Sequence, residues 1–277
     1  MTFRTPLTIW SLLLSLLVAY SSSGQTGIPS PAGAKGLAMG DIRTVIHGPE
    51  AVFANPAIIG LAEESSVSAF AHQPFFVQGL YGFYAGGILY RPSGSFGVDA
   101  YQYGWGDYNE NSFGLQYGRQ LAENLSVGLK LKAFHFTIRD YGQRTVIGAD
   151  LAATHQITRA FSAGVVISNP VPVEVAEGQD MPSAIHVGFK YKFAEKLYSA
   201  LEFSKVQQQN MVAKVGIHYS PSDKLILMIG YQSLENQISF GSAVQFGLFN
   251  LNLSATLHPL LGTSVACGMN YRFVKNS

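Results

Sequence analysis

Charged residues are scarce in this chain, and long apolar runs are scarcer still. Only 13% of the 277 residues are Asp, Glu, Lys or Arg, against 47% that are hydrophobic. Beyond Gly24, no segment approaches the ~20 consecutive apolar residues that a membrane-spanning helix requires. The formal net charge of +1 gives no reason to expect a nucleic-acid partner.

Cysteine is almost absent, and so are the motifs of common catalytic and metal centres. The single cysteine, Cys267, excludes an intramolecular disulfide framework. There is no Gly-rich phosphate loop with its Lys, no His-Glu-x-x-His and no pair of cysteines. The histidines are scattered, and His258 has no sequence signature that links it to a serine nucleophile. We therefore expect no enzyme, no cofactor and no metal site.

The amino terminus reads as a secretory signal peptide. Arg4 supplies the positive charge, residues 7–20 form an apolar run, and small residues follow up to Gly24. The run is too short, and too close to the terminus, to be a spanning helix. Residues 1–24 are therefore predicted to be removed. No cysteine follows them, which excludes lipidation of the new amino terminus.

From Ser65 onward the sequence alternates with a period of two. In residues 249–257 the odd positions are Phe, Leu, Leu, Ala and Leu, and the even positions are Asn, Asn, Ser and Thr. Side chains at i and i+2 share a face of a strand, so such a segment has one apolar and one polar face. We count fourteen such segments, centred on Ala69, Ala85, Ala100, Leu115, Leu131, Ala149, Val165, Gly188, Leu201, Val215, Leu227, Gly241, Leu253 and Cys267.

This pattern favours an all-β protein, a transmembrane antiparallel β-barrel of about fourteen strands. The polar faces are rich in Gly, Ser, Asn and Lys, and the apolar faces often end in an aromatic residue, as lipid-facing strands do. The barrel is expected to span residues 65–273 in the lipid of a bacterial outer membrane, followed by a tail at 274–277. A soluble β-sandwich is the competing interpretation.

Two segments depart from simple alternation. Residues 80–90 are apolar in both phases. The fifth segment changes phase near Ala133 and Phe134, which predicts either a β-bulge or an extension beyond the membrane.

The connections between segments fall into two sets. Every second connection is short and turn-like, namely residues 91–94, 122–124, 158–159, 194–196, 220–223 and 247. These are predicted to be periplasmic turns. The others include residues 73–79, 104–110, 139–143 and 169–181, and only the last is long. An even strand number places both termini on the periplasmic side.

The stretch before the barrel, residues 25–64, cannot be another lipid-facing strand. Gly, Pro and Asn interrupt it every few residues, and irregular backbone is tolerated at membrane depth only inside protein or water. We therefore predict a hatch segment that enters or caps the lumen. Asn55 is expected to hydrogen-bond neighbouring backbone, and Pro56 to fix the approach to the first strand.

Two short patterns in this stretch carry a family resemblance. They are Gly33-Ala34 with Met39-Gly40, and Asn55-Pro56-Ala57 further on. Their order after a signal peptide and before a barrel resembles the FadL-like outer-membrane proteins, and more closely their PorV/PorQ branch. The resemblance covers the mature chain in layout, but its specific residues lie only within residues 33–60.

The resemblance implies one of two functions. PorV/PorQ-like proteins are non-catalytic parts of the type IX secretion apparatus, which would imply protein partners in a secretion complex. FadL-like transporters instead take up hydrophobic small molecules, which would imply a hydrophobic ligand. Because the predicted outward loops are short, the secretion role is the favoured interpretation and the channel is the alternative. A purely structural barrel is the third.

Charged residues in the inward phase are further candidates. Their signs are mixed, which disfavours a pore selective for one ion, and charges in a narrow interior usually pair. We expect them to pair across the lumen and with Asp41, Arg43 and Glu50. The candidates are Asp99, Lys130, Lys132, Asp150, Lys190, Lys192, Glu202, Lys214 and Arg272.

Overall fold

The computed structural model of the chain describes residues 30–140, 142–171, 173–176 and 179–273. The predicted signal peptide, residues 1–24, and the predicted tail, residues 274–277, lie outside the described residues. Within the described part, no helix is both long enough and apolar enough to cross a membrane.

Antiparallel strands make up most of this structure. They are β1 (Ser66–Gln73), β2 (Gly82–Leu89), β3 (Ser95–Trp105), β4 (Tyr108–Ala122), β5 (Leu125–Ile138), β6 (Gly142–Gln156), β7 (Phe161–Ser168), β8 (Glu174–Ala176), β9 (Gln179–Asp180), β10 (Ala184–Ala194), β11 (Leu197–Val206), β12 (Val212–Ser222), β13 (Leu225–Gln232), β14 (Gln237–Phe246), β15 (Phe249–His258) and β16 (Gly262–Arg272). Short 3₁₀ turns occupy Pro74–Phe76 and Leu234–Asn236.

Fourteen of these strands close into one barrel. Strands that follow each other along the chain pair in turn, β7 pairs with β10, and β1 pairs with β16, while β8 and β9 form a separate two-stranded sheet. Each of the fourteen predicted segment centres falls within a different barrel strand. The predicted all-β barrel and its strand number are confirmed.

The barrel has two unlike ends. At the end we call the turn end, Ser66 of β1 pairs with Arg272 of β16. The connections at this end are those predicted to be short. At the opposite end, the loop end, the connection between β7 and β10 is the long one, and it contains β8 and β9.

The outer surface is apolar. Leu253 is 47% exposed, whereas the next residue, Ser254, is 8% exposed and faces inward. Rings of Phe249 and Tyr271 pack 4.7 Å apart at the turn end, and Tyr271 contacts Phe273 at 5.0 Å. An apolar band edged by aromatic rings is the surface that a lipid bilayer requires.

The two irregular segments have a common explanation. The pairing of β5 runs unbroken through Ala133 and Phe134, so the predicted bulge is wrong. Phe134 and Phe136 instead point inward and are buried. Tyr84 in β2 also points inward and is buried. Alternation is lost at these places because the lumen itself is aromatic there.

Residues 30–64, which we call the luminal segment, lie inside the barrel. They contain three short helices, α1 (Gly33–Ala38), α2 (Ala51–Ala54) and α3 (Pro56–Ile59). Helix α1 contacts β13 to β16, and α3 contacts β3 to β6. Met39, Ile42 and Val45 are fully buried in the packing between this segment and the wall. The apolar core of the protein therefore lies between the wall and the luminal segment.

Glycines in the wall allow this close packing. A Cβ atom at Gly230 would lie 2.1 Å from the backbone nitrogen of Gly40, and one at Gly128 would lie 2.2 Å from the carbonyl carbon of Pro56. No real side chain tolerates such distances. The segment and the wall therefore meet backbone to backbone at these points.

Candidate functional site

The Asn55-Pro56-Ala57 motif shapes the luminal segment. The Asn55 Oδ1 atom accepts a hydrogen bond of 2.8 Å from the Ala57 amide and caps α3, while Asn55 Nδ2 donates to the Thr44 carbonyl at 2.7 Å. Pro56 occupies the first turn of α3, where its missing N–H costs nothing. Ser126 in the wall donates to the Ala57 carbonyl at 2.7 Å. The motif thus folds the segment on itself and fastens it to β5.

A buried carboxylate in β11 holds the middle of the segment. One oxygen of Glu202 accepts from the Arg43 amide at 2.8 Å, the Thr44 amide at 2.9 Å and the Thr44 hydroxyl at 2.8 Å. The other oxygen lies 3.2 Å from the Lys214 ammonium, which also donates to the Asp41 carbonyl at 2.6 Å. Glu202 is fully buried, so these contacts replace all of its hydration.

Asp41 is paired on both sides. Its carboxylate lies 3.3 Å from Arg43 and 3.4 Å from Lys214. Burial alone would raise the pKa of Asp41, but the charges of Lys214 and Arg43, with a hydrogen bond from the Ala32 amide, lower it below the usual range. Asp41 is therefore ionised at neutral pH.

Glu50 holds the other side of the segment. It accepts a hydrogen bond of 2.8 Å from the Lys35 amide, and it also accepts from Asn252 and Asn270 in the wall. Burial raises the pKa of the Glu50 carboxyl, and the hydrogen bonds from Lys35, Asn252 and Asn270 offset only part of that rise. Gly33, which adopts a left-handed backbone conformation with φ of 87°, lies directly against this carboxyl group.

The remaining residues of the glycine-rich motif are packing residues. Ala34 and Met39 are fully buried. Met39 lies against Gly216 of β12, and Gly40 lies against the backbone of Gly230 and Tyr231. The motif therefore has a glycine, Gly40, where the backbone of the wall comes closest.

Most of the predicted inward charges lie in neighbouring ion pairs. Lys130 pairs with Asp99 at 2.8 Å, and Lys132 pairs with Asp150 at 2.6 Å. Lys190 lies 5.9 Å from the ring centre of Tyr198. The Lys132–Asp150 pair joins the neighbouring strands β5 and β6, and the Lys130–Asp99 pair joins β5 to β3 across β4. Glu202 and Lys214 reach the luminal segment.

Two of the predicted inward charges lie at the rim instead. The Lys192 side chain is 38% exposed and pairs with Glu195, and the Arg272 side chain is 47% exposed and pairs with Glu64. Both residues lie near the turn end of their strands, where the lumen meets solvent.

A pocket of about 370 Å³ lies between the luminal segment and the loop end. Its floor is formed by Leu37, Gly40 and Asp41 of the luminal segment. Its walls and rim come from strand and loop residues, among them His72, Phe75, Tyr84, Tyr101, Tyr103, Glu110, Leu234, Glu235, Ser239, Thr256 and Leu261. A concave, mainly apolar space with a few polar groups is the usual form of a small-molecule site.

Aromatic rings connect the pocket to the interior. The Phe53 and Phe70 ring centres lie 5.0 Å apart, Phe70 stacks on Tyr84 at 4.2 Å, and Tyr84 lies 5.2 Å from Tyr101. The Tyr101 ring centre is in turn 6.4 Å from that of Phe134. One face of the lumen is therefore aromatic from α2 to the pocket wall.

His258 joins three loop-end connections at the rim of the pocket. Its Nδ1 atom accepts from the Leu260 and Leu261 amides, each at 3.0 Å, so Nε2 carries the proton and donates to Glu235 at 2.8 Å. The Phe75 ring packs edge-on at 5.5 Å. The interactions of His258 hold loops together, and no serine is among its hydrogen-bond partners in the described structure.

Except for Gly40, the pocket residues were not among the predicted site residues. Their signal was present in the sequence, because Tyr84 and Tyr101 are large aromatic residues in the inward phase, where the other strands carry small or polar ones. Among the described residues, no three His, Cys, Asp or Glu side chains are placed to hold a metal ion.

Comparisons with known proteins rest on structure alone. No family model matches the chain, and no curated protein matches it in sequence. The toluene transporter TbuX of Ralstonia pickettii superposes with a TM-score of 0.69 at 14% identity, over 89% of this chain and 99% of TbuX. The monoaromatic hydrocarbon channel CymD gives a TM-score of 0.71 at 14% identity, over 91% of this chain and 100% of CymD.

A third similar structure is the toluene transporter TodX of Pseudomonas putida, with a TM-score of 0.69 at 11% identity, over 88% of this chain and 98% of TodX. A FadL homologue of Pseudomonas aeruginosa also superposes, with a TM-score of 0.65. These neighbours are described as transporters and channels rather than enzymes.

These findings correct the favoured functional prediction. The prediction of a type IX secretion component is wrong, because the solved barrels that share this architecture carry hydrocarbons, and the PorV/PorQ likeness finds no support among them. The wider likeness is supported. This chain has the fourteen-stranded fold of the FadL-like outer-membrane barrels.

Proposed function

We propose that this protein is an outer-membrane channel for small hydrophobic molecules, which enter through the pocket at the loop end. The observation that carries the proposal is the pocket itself, an aromatic space of about 370 Å³ above a barrel interior that the luminal segment fills. The solved neighbours support it, since their descriptions name toluene and monoaromatic hydrocarbons. In this proposal the loop end is extracellular and both termini are periplasmic.

The luminal segment closes the channel in this proposal. Residues 25–64 act as the hatch of a barrel spanning residues 65–273. A molecule in the pocket rests on Leu37, Gly40 and Asp41, which belong to the hatch rather than to the wall. Passage therefore requires these residues to move, while the hydrogen bonds to Glu202 and the packing at Gly230 hold them in the closed state.

Filling the pocket tests the proposal. Ser239 is 2% exposed and lines the pocket, whereas its neighbour Ile238 is 43% exposed on the outer face. Ser239→Phe places a ring in the pocket, and Ile238→Phe places the same ring in lipid. We expect Ser239→Phe to lower toluene uptake by reconstituted protein about tenfold and Ile238→Phe to leave it unchanged.

Both variants must first show the different migration of heated and unheated samples that marks a folded barrel. Equal uptake by Ser239→Phe and the unaltered protein would contradict entry through this pocket. A loss of uptake in both variants would place the path elsewhere, on the lipid-facing side.

A further inference from the structure

The pocket carries charges of only one sign. Three of its lining residues are acidic, namely Asp41, Glu110 and Glu235, and no Lys or Arg is among the described residues that line it. Elsewhere in the lumen, several acids have basic partners, as in the pairs Lys130 with Asp99 and Lys132 with Asp150. The imbalance is therefore particular to the pocket.

The three acids differ in whether their partners are charged or neutral. Asp41 pairs with Arg43 and Lys214. Glu235 has a half-exposed side chain and accepts a hydrogen bond from His258. Glu110 is 2% exposed, and in the described structure its partners are neutral, the hydroxyl groups of Tyr101 and, at 3.1 Å, Tyr108. Glu110 thus lacks an ion-pair partner.

A buried carboxylate without a cation is costly in free energy. Each carboxylate oxygen of Glu110 receives one hydroxyl donor, so lone pairs remain for a donor in the pocket. The Tyr84 and Tyr101 rings beside it present faces that attract cations. The wall therefore combines an acceptor of positive charge with aromatic surface.

We propose that this pocket selects small aromatic molecules that carry an ammonium group, with Glu110 as the residue that recognises the charge. This inference rests on the proposed channel function and names its substrate class. The ring of the ligand packs among Tyr84, Tyr101 and Tyr103, and its ammonium group donates to Glu110. A carboxylate-bearing ligand meets the Glu110 carboxylate, which has no basic partner in the described structure, so the pocket rejects it.

Cross-strand register explains why these groups converge. Tyr84 of β2 lies opposite Tyr101 of β3, and Tyr103 of β3 lies opposite Glu110 of β4. All four residues point inward near the loop end. Three adjacent strands thus present the rings and the carboxylate as one surface, which needs no loop to assemble it.

The test compares three ligands with one ring and different charge. Benzylamine, toluene and benzoate are cationic, neutral and anionic at about pH 7.4. Binding to the full-length mature protein in nanodiscs is measured by equilibrium dialysis against empty nanodiscs. We expect benzylamine to bind at least about tenfold more tightly than toluene, the gain of a charged hydrogen bond, and benzoate to bind least.

Two variants locate the effect. Glu110→Gln keeps the size of the side chain and removes its charge, and it is expected to abolish the advantage of benzylamine over toluene. Glu123→Gln, in the exposed turn after β4, changes the net charge equally and is expected to keep that advantage. Heat-shifted gel migration confirms that each variant is folded.

The outcomes separate the two proposals. Equal binding of benzylamine and toluene by the unaltered protein, or tighter binding of benzoate, overturns the selectivity even if Glu110→Gln does not fold. An unchanged ligand order in folded Glu110→Gln overturns the role of Glu110. If neither the unaltered protein nor the variants take up toluene, the channel proposal is overturned instead, because the uptake of neutral toluene does not depend on the charge of Glu110.

Discussion

The luminal segment packs backbone to backbone against glycines of the wall, whereas the loop-end pocket leaves about 370 Å³ between wall side chains and its floor on that segment. The first region combines glycine, buried ion pairs and backbone hydrogen bonds, and the second combines aromatic rings with an unpaired acid. Contacts such as those of Glu202 hold the luminal segment in one conformation, while the pocket leaves space for a ligand. Closure and recognition are thus assigned to different residues.

The largest expected effect is the loss of closure on removing Glu202. Glu202→Ala leaves the Arg43 and Thr44 amides without their acceptor and the Lys214 ammonium without that partner. Removing one member of a buried ion pair costs about 3–5 kcal/mol, so the luminal segment should detach. Swelling of liposomes in a small sugar should become much faster.

Tyr84→Leu is the matched change in the pocket, since it removes an aromatic wall residue that does not hydrogen-bond the segment in the described structure. Its sugar permeability should stay that of the unaltered protein, while toluene uptake falls. Equal leakage from both variants would show that closure and recognition are not separable. Urea unfolding in lipid checks that the barrel itself persists.

A smaller effect is expected from the Asn55 cap. Asn55→Ala removes two buried hydrogen bonds, to Ala57 and Thr44, and should destabilise the segment by about 1–2 kcal/mol. Sugar leakage should rise less than in Glu202→Ala. Asn124→Ala in an exposed turn serves as the control. If Asn55→Ala leaks sugar no faster than this control, the motif has no role in closure.

The smallest effect concerns acid. Because the folded-state pKa of Asp41 is lowered, its stabilisation is complete above its ordinary value of 3.8 and disappears as the pH falls through the lower folded value. The stability difference between the unaltered protein and Asp41→Asn should therefore stay constant at neutral pH and shrink only as the pH falls below the ordinary value of 3.8. Urea unfolding at several pH values measures it. A constant difference would mean that the ion pairs with Arg43 and Lys214 contribute nothing.

The strands could be predicted from the sequence because each carries its own signal. Alternation such as that of residues 249–257 is set by the bilayer on one side and the lumen on the other. The pocket could not be predicted in the same way. Tyr84, Tyr101 and Glu110 lie on three different strands, and only the register of β2, β3 and β4 brings them together.

The functional prediction failed for a related reason. The prediction treats short loops as evidence against uptake, which assumes that a ligand site requires long loops. In this barrel the strands β2 to β4 supply the aromatic wall, and the short connections contribute one or two residues each, such as Phe75, Leu234 and Leu261. Pocket formation depends on which inward residues are large, which loop length does not report.

The contacts of the luminal segment also impose an order on biogenesis. Helix α3 docks on β3 to β6, which are synthesised soon after it, whereas α1 docks on β13 to β16, the last strands of the chain. Glu202 and Lys214, which hold Thr44 and Asp41, come from β11 and β12. The part of the segment nearest the first strand can therefore settle early. Its amino-terminal part also contacts β1, but it finds most of its partners only when the final strands close the barrel.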